Sequence, residues 1–239
     1  MGPRSDQTGI LAERYLEIVW GDLGNTFLLL IQAPVIALCI VLVWGDTQTV
    51  TDSLWFVLAL SAVWFGAINS CREIVKERDM YRRERRVGLD PTAYVLSKIM
   101  ILAMLGFIQC LCLIYLVNLK LKLPGGELLH FVVLFMASLA GSSLGLALSA
   151  FVSTSDRAVA GVPLLLLPQV LFSEAVMSHE HSRWTVKLLE DLTMTSWAYD
   201  GLKNLAATEP SMGTFFQGCL ALGVMSALLL GLTIFLMRR

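Results

Sequence analysis

The sequence predicts an all-α, polytopic membrane protein: six transmembrane helices, an N-terminal interfacial helix and a cytoplasmic connector helix. Hydrophobic residues make up 56% of the 239 and charged residues only 15%, with a mean hydropathy of +0.69. That is too apolar for a soluble domain of this size, whose surface needs far more charge. A bilayer core about 30 Å thick takes roughly 20 apolar helical residues, and such runs recur near 25–44, 53–70, 94–117, 128–153, 158–176 and 214–237. The basic residues divide unevenly between the two sides. Arg4, Arg14, the eight within 72–98, Arg157, Arg238 and Arg239 make thirteen, against five for Lys120, Lys122, Arg183, Lys187 and Lys203. The positive-inside bias then places both termini and the 71–90 segment in the cytoplasm, as in a multi-pass protein of the cell membrane.

Within residues 1–24, the stretch LAERYLEIVWGDL alternates apolar and charged residues at helical spacing, with Leu11, Tyr15, Ile18 and Val19 on one side. This pattern fits a helix lying in the membrane interface, with Trp20 at headgroup level. No small-residue cleavage site follows the first apolar run, so it reads as a retained span and not a signal peptide. Spans one and two fill 25–70. Residues 72–86 (REIVKERDMYRRERR) are far too charged to span, and no helix breaker occurs before Gly88. A connector helix is therefore expected within 71–90. Gly88 suits the left-handed position after its end, and Asp90-Pro91 supplies a cap and first residue for the next helix.

In that connector, Asp79 with Arg83 and Glu73 with Lys76 stand at favourable pairing distances. Glu73, Glu77 and Glu84 share a ridge on which Glu77 has no basic neighbour at the right spacing. An uncompensated acidic ridge fits either a partner outside the chain or a solvated face. Spans three to five fill 91–176. Pro163 and Pro168 flank a leucine run in the fifth, which predicts a kinked or discontinuous helix. Ala137, Gly141, Gly145 and Ser149 recur every fourth residue, as do Cys219, Gly223, Ala227 and Gly231 in the sixth span at 214–239. Such faces let helix backbones approach closely in lipid. The 177–213 segment, with Trp184, Trp197 and Tyr199, reads as one or two short extracellular helices.

Several chemistries are disfavoured. A net charge of −1 lacks the basic excess that nucleic acid requires. No GxxxxGK[ST] phosphate cradle is present, so any ATPase lies elsewhere and no cofactor is expected in this chain. The five cysteines sit in or beside apolar runs and read as small hydrophobes, not as disulfides or metal ligands. His179-Glu180-His181 lacks the i, i+4 geometry of a zinc-binding helix and reads as a solvated loop, so no metal site is expected. Ser142 and Ser143 would need a histidine base, but His130 falls at the opposite end of the same span. No catalytic residue is assigned.

Asn69, Arg72-Glu73, Glu77-Arg78, Tyr81, Arg83-Glu84-Arg85, Gly88-Leu89, Tyr94 and Ser97-Lys98 resemble the connector between the second and third spans of G-subfamily ABC exporters. The resemblance is closest to bacterial members in which this membrane domain is often fused to an ATPase and a forkhead-associated domain. It continues through Ser142-Ser143-Leu144-Gly145-Leu146, Asp156-Arg157-Ala158, Pro163, Pro168-Gln169, Phe172-Ser173 and Trp197-Ala198-Tyr199. Glu174 departs from it, since relatives often have glycine there, and the extracellular segment is shorter than in eukaryotic members.

The resemblance implies a permease subunit that works as a homodimer with two ATP-binding cassette subunits, which bind the ATP and Mg. It would move a lipid-like or amphipathic substrate by alternating access. Coupling to the ATPase would fall to Glu73, Glu77, Arg78, Tyr81, Arg83 and Glu84, and charge reversal at Glu77 is expected to uncouple hydrolysis from transport in a folded protein. Phe65, which sits where related exporters offer an aromatic to the substrate, would line the path with Gln169, Phe172 and Glu174. An ionisable residue such as Glu174 near membrane depth is costly and for that reason a functional suspect. The alternative is a membrane scaffold that transports nothing and recruits a cytoplasmic partner through the 71–90 helix. A carrier driven by an ion gradient would show inverted repeats, which are not apparent.

Overall fold

Each apolar run folds as a helix. The computed structural model describes residues 4–45, 51–172, 184–207 and 209–238, and no strand occurs among them. Helix α1 (Arg4–Gly21) meets α2 (Leu23–Trp44) at Asp22, whose carboxylate caps α2 by accepting from the Asn25 amide at 3.2 Å. Helix α3 (Asp52–Ser70) leads through a turn and a 3-10 segment (Val75–Glu77) into α4 (Arg78–Arg86). Then follow α5 (Pro91–Leu121), α6 (Glu127–Phe151), α7 (Ser155–Leu171), α8 (Trp184–Asp191), α9 (Met194–Leu205) and α10 (Met212–Arg238).

Five helical stretches are long and apolar enough to cross a membrane: α2, α3 with its continuation into the connector, α5, α6 and α10. The expected fifth span corresponds to α7, which has 17 residues, too few to count with the others. It runs unbroken through Pro163 and Pro168. Each proline removes only one amide donor, so a discontinuity is not enforced. The end expected at residue 176 lies outside the described residues.

The connector is not one helix over its whole charged stretch. The Ile74 and Val75 amides both donate to Ser149 Oγ on α6, at 3.0 Å each, which takes them out of the helical ladder and leaves α4 nine residues long. Beyond α4, Gly88 adopts φ +106°, a left-handed value that favours glycine, and Asp90 then caps α5 by accepting from the Thr92 amide at 3.1 Å.

The centre of the bundle is the seam between α3 and α6, where packing is most extensive. A Cβ on Gly66 would strike the Ser138 carbonyl oxygen, and one on Gly141 would strike that of Val63. The α6 stripe of small residues is thus what lets two backbones touch. The stripe on α10 has the same spacing and a different fate. Gly223 meets only the tip of Met136, at 3.5 Å from where its Cβ would stand, and Gly231 faces open space. Helix α10 packs on α6 and α9, while α1 and α2 lean on α5.

The helix ends gather charges at both ends of the bundle. Arg14, the connector, Lys98 and the end of α10 meet at one end of the bundle through direct bonds. Lys203 bridges to Asp52 at the other. All five cysteines are free. His130 stacks on Trp55 at 5.2 Å, with its Nδ1 3.0 Å from the Gly126 carbonyl oxygen, while Ser143 Oγ donates to the Leu139 carbonyl.

Candidate functional site: the connector junction

At the connector end, four elements converge on one buried ammonium. Lys98 lies two turns into α5 and is 2% exposed. Its Nζ pairs with Glu77 Oε1 at 2.7 Å, stands 3.9 Å from Glu73 Oε2, and sits 3.6 Å from the centre of the Tyr15 ring. Tyr94 Oη donates to Glu77 Oε2 at 3.0 Å, and Tyr15 Oη donates to Glu73 Oε2. Lys76 closes the outer side of Glu73 at 2.7 Å. Each carboxylate oxygen of both glutamates therefore has a donor, as buried charges require. Burial, reinforced by the Glu73 charge, holds the Tyr15 hydroxyl well above its ordinary titration range, so it remains a donor.

The outer connector is tied just as firmly. Arg78 donates to the Ala150 carbonyl at 2.7 Å, and Tyr81 Oη to the Met237 carbonyl at 2.9 Å. Arg85 donates to the Met237 and Arg238 carbonyls. These guanidinium groups satisfy the orphan carbonyls at the ends of α6 and α10, where the helix dipole also favours a cation. Glu84 binds Arg14 of α1, with Oε1 accepting at 2.6 Å and Oε2 at 3.4 Å. The junction thus joins α1, α4, α5, α6 and α10 through charge and hydrogen bonds.

This geometry revises the acidic ridge. Glu77 is not left uncompensated: its counter-charge comes from Lys98, distant in sequence, which also stands near Glu73, and Glu84 takes Arg14. The Glu73 pair with Lys76 forms as expected, whereas Asp79 with Arg83 is not among the ion pairs of the described residues. Charge reversal at Glu77 would set a second ammonium beside Lys98 in a buried site, so it is not a clean test of coupling. Of the connector residues assigned to coupling, Arg83 is the one whose side chain is exposed with no bond to the described residues.

The four residues assigned to a substrate path do not form one described cavity. Phe65 is fully buried in the core of α3, and Gln169 Oε1 accepts from the Thr195 amide and hydroxyl at 3.2 and 3.3 Å, tying α7 to α9. Phe172 is half-buried at the end of α7. Glu174 lies outside the described residues, as do His179, Glu180 and His181.

Lys98 and Tyr15 received no site role from the sequence, although Lys98 lies within the Ser97-Lys98 resemblance. A lysine inside an apolar span is by itself a signal, because an ionisable group there needs a partner. Tyr15 already stood on the apolar face of the N-terminal helix. Their convergence depends on tertiary packing that no spacing reveals.

The ABC-2 type transporter family model matches residues 6–206, which takes in α1, the connector and all but the last span. The chain belongs to the ABC-2 type transporter family. As an ABC-2 membrane domain it is similar to an ABC transporter ATP-binding/permease protein of Mycobacterium tuberculosis, 30% identical over 139 residues. That stretch covers 54% of this chain and 16% of the relative, so the chain spans a small part of the relative's length. In this ABC-2 domain the α3 to α5 connector is a defined, charge-tied structure and not a loose loop.

Proposed function

We propose that this chain is the permease subunit of an ATP-driven exporter, and that α4 with the Lys98 cluster passes the motion of an ATP-binding cassette partner to the spans. One observation carries the reading: a nine-residue helix at the charged end, together with the short segment that leads into it, is bonded to α1, α5, α6 and α10. A push on α4 therefore moves several helices together, which is what switching a cavity between two access states demands. In this reading the partner supplies ATP and Mg, two copies of the chain pair in the membrane, both termini face the cytoplasm, and the cargo is lipid-like or amphipathic.

The partner's contact falls on the outward parts of the connector. Arg83 is exposed, and next to it a cleft of about 300 Å³ opens between α1 and the end of α4. Gln7, Ile10, Arg14, Glu84, Val87 and Leu89 line it, with Ile10 and Val87 largely exposed. Glu73 and Glu77, buried behind, act as struts.

The test is copurification of the tagged chain from its native membrane, with identification of the bound proteins. An ATP-binding cassette ATPase is expected, lost or weakened in Arg83→Glu while thermal unfolding in detergent stays unchanged. Capture of a partner lacking any ATP-binding cassette would favour the scaffold reading and defeat this one.

A further inference from the structure

The face of α4 turned away from α1 carries a different chemistry. Arg78, Arg82, Arg85 and Arg86 lie along one side of the helix and line a cleft of about 550 Å³, floored by Tyr81, Ala150, Leu236 and Met237. Four guanidinium groups meet here and, among the described residues, no carboxylate is in the lining. Arg78 and Arg85 are engaged by backbone carbonyls. Arg82 and Arg86 are exposed and make no hydrogen bond or ion pair among the described residues. Like charges packed within two turns repel, and an anion between them relieves that repulsion.

The position of the cleft selects the kind of anion. Its apolar floor is the last turn of α10, the least buried of the membrane-length helices, with 11% of its apolar window covered. Leu228, Leu232 and Phe235 continue from Leu236 up that helix and are exposed. A ligand with a charged head and an apolar tail can place the head among the guanidiniums and lay the tail along this face. Guanidinium matches phosphate oxygens in bidentate fashion. Basic pockets between spans at the charged end of a membrane protein bind anionic headgroups for the same reason.

We propose that the cleft between α4 and the end of α10 binds the phosphate headgroup of an anionic phospholipid, whose acyl chain runs along Leu232 and Leu228. The site needs only that the α10 face lies in lipid, and it is independent of the identity of any ATPase.

Native mass spectrometry of the full chain in detergent, titrated with phosphatidylglycerol or phosphatidylcholine, tests the assignment without an ATPase present. The wild type is expected to hold phosphatidylglycerol more tightly than phosphatidylcholine. The double variant Arg82→Gln/Arg86→Gln is expected to lose roughly thirtyfold in phosphatidylglycerol affinity, the effect of removing two arginines from an anionic surface. Its phosphatidylcholine binding should not change, and Arg157→Gln, at the same end but off the cleft, should match the wild type. Glycerol phosphate separates the lipid from a free anion: binding as tight as that of phosphatidylglycerol would overturn the lipid assignment. Equal affinity for the two lipids, or full retention of phosphatidylglycerol by the double variant, would also overturn it. So would a double variant that keeps the lipid but no longer copurifies with a protein partner, since the cleft would then be a protein dock.

Discussion

At the connector end, Lys98 is shut away from water between two carboxylates and two tyrosine rings, whereas at the far end Lys203 bridges Asp52 at 3.1 Å with both side chains partly open to water. Both are lysine-carboxylate pairs within hydrogen-bond distance, at 2.7 and 3.1 Å. Bonding to Tyr199, and next to Asp52, keeps the Lys203 ammonium above its ordinary titration range, so it stays charged, yet water and salt screen its pair. The Lys98 group has no such screening. Environment, and not contact distance, decides which pair the structure depends on.

The sharpest test is Lys98→Met. It leaves Glu77 and Glu73 buried without their shared cation, and loss of one partner from a buried pair costs about 3–5 kcal/mol. Thermal unfolding in detergent, followed by circular dichroism, is expected to drop steeply and to recover in large part in Lys98→Met/Glu77→Gln. A single variant as stable as the wild type would erase the distinction between the ends.

Ser149→Ala comes next. Its hydroxyl oxygen accepts from two connector amides, and buried amides left without an acceptor cost about 1–3 kcal/mol in all. Hydrogen exchange should quicken at Ile74 and Val75 while α3 stays protected. The smallest effect belongs to Lys203→Met, where an exposed pair is worth about 0–1 kcal/mol. Its unfolding midpoint should lie near the wild type and respond little to added salt.

Much of the fold was legible because lipid imposes length and composition on every span. The boundaries of α2, α3, α5, α6 and α10 fall close to the apolar runs, and the Gly88 and Asp90-Pro91 punctuation fell where backbone chemistry requires. The two small-residue stripes show the limit. Spacing marks a helix face able to approach another backbone, but only tertiary packing gave α6 its partner in α3 and left Gly231 of α10 open. The connector shows the same limit in charge. Glu77 looked unpaired because its counter-ion, Lys98, comes from another helix, a pairing that i, i+4 arithmetic does not reach. The break before α4 was hidden for a like reason, since it comes from Ser149 on α6.

The intimate contact of α3 with α6 bears on how such a molecule can work. With backbone oxygens standing where side chains would be, neither helix can slide or roll against the other without collision, so the pair behaves as a keel. Any cycle that opens and closes a passage would then carry α3 and α6 as one body, with the flexing left to their joints with the other helices.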